Sequence, residues 1–124
     1  MAGPGLLTAK DSYHLVTFNA LQSVTGISNT PVGVFSTQKK WYGFCLNNRD
    51  ASARWLQVFF KPEASVVYGT TAPDKTIEVP AGGSVSDEFN NPFLVTGITV
   101  AAATTETGTT APTNPITGEL YFAR

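Results

Sequence analysis

Every apolar run in this 124-residue chain is short, rich in Val, Ile, Phe, Tyr, Trp and Thr, and closed within a few residues by Gly, Pro, Asn or Asp. Such runs favour the pleated, half-buried surface of a sheet, and none keeps the three-to-four-residue spacing of an amphipathic helix over more than a turn or two. A chain without helices must pair its backbone N–H and C=O groups between strands. Short strands at short intervals then predict an all-β jelly roll or β-sandwich of about eight antiparallel strands.

The turn signals divide the chain into strands at 14–21, 31–36, 39–47, 53–60, 75–80, 84–89, 93–103 and 116–123. Residues 39–47 and 53–60 flank Asn47, Asn48, Arg49, Asp50 and Ser52, which predicts that the two strands form an antiparallel hairpin. Within 53–60, Leu56, Val58 and Phe60 alternate with Trp55, Gln57 and Phe59, so both faces carry large side chains. Either another segment of the chain covers the second face, or a partner subunit does. Residues 1–12 read as a flexible arm in which Leu6 and Leu7 follow Gly3, Pro4 and Gly5. Residues 13–124 form a single domain, from which the Thr-, Gly- and Pro-rich run 104–115 is expected to project as a loop.

Charge narrows the function. Eight basic and nine acidic residues leave a net charge of -1 at 14% charged residues, below the roughly 25% usual in globular domains. Lys39 and Lys40 are the only adjacent basic pair, so neither nucleic acid nor an anionic membrane is expected as a partner. No run approaches the length of a membrane-crossing helix, and no leader pattern precedes the first strand, so folding in a reducing cytoplasm is expected. His14 is the only histidine and Cys45 the only cysteine. Together they make neither a nucleophile–base pair of recognisable spacing nor a zinc site, and Asp87 and Glu88 diverge to opposite faces of a strand. The chain is therefore expected to be no enzyme and to use no metal or cofactor. Trp41 and Trp55 allow a second reading, a carbohydrate-binding module that stacks sugars on exposed aromatics.

The segment Ala53, Arg54, Trp55, Leu56, Gln57, Val58, Phe59, with Lys61 after it, is followed by Thr71-Ala72-Pro73 and by the IEVPAGG turn of 77–83 leading into Ser84 and Val85. These motifs, with FLVTGI at 93–98 and the Thr-rich run beyond, resemble the small jelly-roll cement, or decoration, proteins of tailed bacteriophages. The resemblance spans about Lys40 to Arg124, and Gln57 stands where a charged residue is expected. It implies a virion structural protein, made in the host cytoplasm, that binds the capsid exterior and clamps neighbouring major capsid protein subunits. It also implies self-association as a dimer or trimer. Leu6, Leu7, Tyr13, Trp55, Phe59, Thr109 and Thr110 are the expected capsid or subunit contacts.

Overall fold

A computed structural model describes residues 16–17 and 26–123. Eight strands follow in order: β1 (Val16–Thr17), β2 (Val32–Phe35), β3 (Lys39–Asn47), β4 (Arg54–Phe59), β5 (Lys75–Val79), β6 (Ser84–Val95), β7 (Ile98–Ala103) and β8 (Thr117–Ala123). A three-residue 3₁₀ turn, Glu63–Ser65, is the one helical element among the described residues. The strands form two four-stranded sheets, β1-β8-β3-β6 and β2-β7-β4-β5, antiparallel throughout.

This order has a simple origin. β4 pairs with β5, β3 with β6, β2 with β7 and β1 with β8, as in one long two-stranded ribbon turned back between β4 and β5. Rolling that ribbon lays β8 on β3 and β7 on β4. The result is a jelly roll, two sheets face to face around one core. The core takes Leu56, Val58, Ile77, Val79, Ile98, Val100 and Ala102 from one sheet, and Trp41, Phe44, Leu46, Val95, Leu120 and Phe122 from the other. Each large aliphatic side chain so buried contributes about 1.5–3 kcal/mol before chain entropy is subtracted. On the side where β5 and β6 are the edge strands, Phe60, Phe89 and Phe93 pack on Trp41. There the Lys75 ammonium lies 5.6 Å from the Phe89 ring centre and 5.7 Å from that of Phe93, a cation–π cover on the aromatic edge.

Strand 39–47 lies where the sequence places it, but its alternation breaks in the middle. Trp41 and Phe44, three residues apart, both face the core because the register slips between Trp41 and Gly43 against both neighbours. On the β6 side, residues 89–92 stand opposite Tyr42 alone. This bulge inserts residues without partners, turns the strand and brings the Trp41 indole N–H to Gly43 O at 2.8 Å. Gly43 has no alternative, because a Cβ there would collide with Asp87 O.

Three expectations are corrected. β3 and β4 are not a hairpin: β3 lies between β8 and β6, and β4 lies between β7 and β5, in the opposite sheet. The connection crosses between sheets, and buried Asn48 holds the corner by donating from Nδ2 to Ser52 O, Val79 O and Pro80 O. Residues 93–103 are not one strand, since the chain leaves one sheet after Val95 and enters the other at Ile98. Conversely, β6 runs from Ser84 to Val95, extending the expected 84–89 through the bulge.

Candidate functional site

The outer face of the β2-β7-β4-β5 sheet is covered by the chain itself. On it, Gln57 and Phe59 of β4 and Thr99, Ala101 and Ala103 of β7 are all buried, although they point away from the core cluster. Small side chains on β7 let the covering backbone come close. Thr99 Oγ1 donates to Lys61 O at 2.9 Å, and Gln57 Nε2 donates to Glu106 O at 3.0 Å and Gly108 O at 2.9 Å. Thr76 Oγ1 meets Glu106 Oε2 at 2.7 Å, and Thr104 N–H closes the segment on Thr110 O at 3.0 Å. The two-sided apolar character of β4 is thus answered by a covering segment within the chain.

The run 104–115 is therefore a strap, not a free projection. Asp50 secures its far end. Asp50 is 3% exposed, and its carboxylate accepts from Thr113 N (2.9 Å), Asn114 N (2.7 Å), Asn114 Nδ2 (2.8 Å) and Arg54 Nε (2.7 Å). Burial alone would raise its pKa, but the bonds from Arg54, Asn114 and Thr113 prevail and hold it below the usual carboxylate value.

Between the strap and the loop after β4 lies a cavity of about 200 Å³. Gln57 and Phe59 line it from the sheet, and Tyr68, residues 69–73 and Thr107 line it from the loops. Burial raises the Tyr68 hydroxyl pKa, so the side chain stays neutral at physiological pH. The loop is shaped by Val67 O, which accepts from Thr70 N at 3.0 Å and Thr71 N at 2.8 Å, and by Thr71 Oγ1, which accepts from Val67 N at 2.9 Å. On the other sheet, a more open groove of about 470 Å³ runs past Phe44, Cys45, Ser86, Asp87, Glu88 and Tyr121. There Tyr121 donates to the Glu119 carboxylate at 3.2 Å, and burial with nearby Glu119, Cys45 and Glu88 raises its pKa.

The expected contact residues fare differently. Leu6, Leu7 and Tyr13 lie outside the described residues, as does His14. Trp55 is half-buried, and Thr109 and Thr110 are exposed on the strap. Phe59, 1% exposed, is covered by the chain's own loop and offers no surface to a partner. Trp41 is fully buried in the core and cannot be a stacking platform for sugars. Cys45 is half-buried on the outer side of β3, and among the described residues no three His, Cys, Asp or Glu side chains gather as metal ligands. Leu94 and Val67, 63% and 61% exposed, are apolar surface that the sequence does not single out, because each sits in an apolar run. Strand order and packing define the class, an all-β jelly-roll domain with one strapped face. No family model, curated protein or solved structure matches the chain.

Proposed function

We propose that the protein is a virion structural protein that binds the outside of a tailed-phage capsid and clamps neighbouring major capsid protein subunits. The observation that carries this reading is the jelly-roll order, β1-β8-β3-β6 against β2-β7-β4-β5, in a chain whose motifs at 53–59, 77–85 and 93–98 resemble decoration proteins of that fold. In the fold those motifs become strand β4, the β5–β6 turn and the crossing from β6 to β7, all scaffold positions. The sparse charge of the chain suits a molecule that spends its life against other protein. Clamping needs no reacting group, because many copies on a repeating lattice add modest interfaces into a large restraint.

With Phe59 withdrawn, the contact set comprises Leu6, Leu7, Tyr13, Trp55, Thr109 and Thr110. Co-sedimentation with expanded capsids of the source virus, stripped of accessory proteins, tests the reading. Saturable binding and a higher capsid rupture temperature are expected, both weakened by Leu6→Ser with Leu7→Ser or by Thr109→Lys with Thr110→Lys. Failure of the wild-type protein to sediment with these capsids would remove the proposal.

A further inference from the structure

Among the described residues β6 is the longest edge strand: it pairs with β3 on one side and with no strand on the other. The bond from Asn48 N to Gly83 O, 2.9 Å long, fixes where its backbone groups point. Bonded and unbonded pairs alternate along an antiparallel ladder, so Leu46 with Val85 and Phe44 with Asp87 exchange hydrogen bonds, while Asn47 with Ser84 and Cys45 with Ser86 do not. Ser84 and Ser86 therefore turn N–H and C=O outward from the sheet, and both residues are exposed. The other sheet closes such a position: on its edge strand β2, the Gly33 N–H donates to Glu63 Oε1 at 2.8 Å.

An unpaired edge is a template for another strand, and the side chains along it decide which strand is accepted. The open run is short. The turn at 80–83 precedes it, and after Glu88 the bulge at 89–92 interrupts the ladder, where Pro92 has no N–H to offer. Within the run, Val85 and Asp87 stand opposite the core residues Leu46 and Phe44 and so share their face. Asp87 is nevertheless exposed and, among the described residues, is in no ion pair. The groove beside this stretch is lined by Phe44, Cys45, Ser86, Asp87, Glu88 and Tyr121, two acids and no base. On an added strand, the residue opposite Asp87 would have its Cβ about 4.5–5.5 Å away on the same face. A second copy of β6 cannot supply a cation there, because SVSDEFNNPFLV contains no Lys, Arg or His. It would bring further carboxylates instead.

We propose that residues 84–88 accept, as an added strand, an extended segment of a partner protein that places Lys or Arg opposite Asp87. Main-chain bonds to Ser84 and Ser86 provide the attachment, and the Asp87 carboxylate selects a basic strand over a copy of β6. The site is independent of the capsid-binding reading.

Two blocked peptides, acetyl-TKTVT-amide and acetyl-TETVT-amide, test it. An antiparallel strand of this sequence sets its second residue opposite Asp87 and its valine opposite Val85. Each is titrated at millimolar concentration into the ¹⁵N-labelled full chain, and amide hydrogen exchange is followed. With the lysine peptide, saturable shifts are expected at Ser84 and Ser86. Exchange of these two amides should slow several-fold, while that of Val85 and Asp87, already bonded to β3, stays unchanged. The glutamate peptide should bind about threefold more weakly, the scale of one cross-strand charge pair. Asp87→Lys, at an exposed position, should reverse the preference; should that variant fail to fold, Asp87→Asn should abolish it. Absence of saturable shifts with the lysine peptide overturns the proposal, and so does equal binding of the two peptides. Exchange at Ser84 and Ser86 as slow as at Val85 in the free protein also overturns it, since the edge would then be covered by the chain itself or, where protection grows with protein concentration, by a second copy.

Discussion

Asp50 illustrates how much one side chain decides in this molecule. Its carboxylate ties the β3–β4 corner, through Arg54, to the end of the strap, through Thr113 and Asn114, while its backbone carbonyl accepts from Gly82 N at 2.8 Å in the turn before β6. Asp50→Ala would leave the Arg54, Thr113 and Asn114 donors facing a space without an acceptor. The expected cost is about 3 kcal/mol, the low end for breaking a buried charged pair because Arg54 keeps some solvent contact. In a thermal melt that corresponds to a Tm lower by roughly 10 °C. The pH dependence follows from the direction of the shift. The folded-state pKa lies below the ordinary value of 3.8, so the stabilisation is fully present above that value and is lost as pH falls through the folded pKa. Melts of wild type and Asp50→Asn between pH 7 and pH 2 should differ most at neutral pH and converge below about pH 4. A gap that stays constant across that range would mean that the carboxylate is not the stabilising form.

At the scale of elements, the bulge in β3 governs which residues reach the core. Regular alternation would send Trp41 and Phe44 to opposite faces, and the extra residue at Tyr42 puts both inside. Close approach of β6 at Gly43, and of β3 at Gly118 of β8, makes both positions intolerant of a side chain. A Cβ on Gly118 would collide with Cys45 O, and its φ of 138° disfavours any other residue. Gly43→Ala is expected to lose about 1–3 kcal/mol by overpacking, read as a lower urea midpoint with an unchanged m-value. A midpoint equal to that of wild type would show that β3 and β6 separate at that point without cost.

For the whole molecule, the nested pairing sets the folding kinetics. The β4–β5 pair closes the smallest loop of the nested ribbon, residues 60–74, whereas Val32 must find Val100 and Val16 must find Leu120. Loop-closure entropy is lost before those distant contacts return anything, so refolding is expected on the millisecond-to-second scale of non-local β proteins. Val79→Ala, in the local pair, should mainly slow folding, and Leu120→Ala, in the last strand, should mainly speed unfolding. Stopped-flow chevrons of the two variants check this, and the reverse pattern would place the nucleus at the β8 side.

The material of the fold is legible in the order of residues. β-branched and aromatic runs bounded by turn residues specify strands and exclude long helices, and Lys39–Asn47 is placed to the residue because its apolar run is bounded on both sides. Local signals also separate β4 and β5 and mark both faces of β4 as destined for burial. Which strands are neighbours depends instead on long-range packing. The turn residues at 47–52 are the same for a hairpin as for a corner between sheets, and the choice fell to the corner because β6 and β8 occupy both edges of β3. The strap is a further case: a run of Thr, Gly and Pro shows no reason to stay down until Gln57, Thr76 and Asp50 come from elsewhere to hold it. The cavity, and a Gln57 oxygen without a partner among the described residues, follow from that closure, since hydrogen-bond satisfaction depends on distant groups that no local pattern encodes.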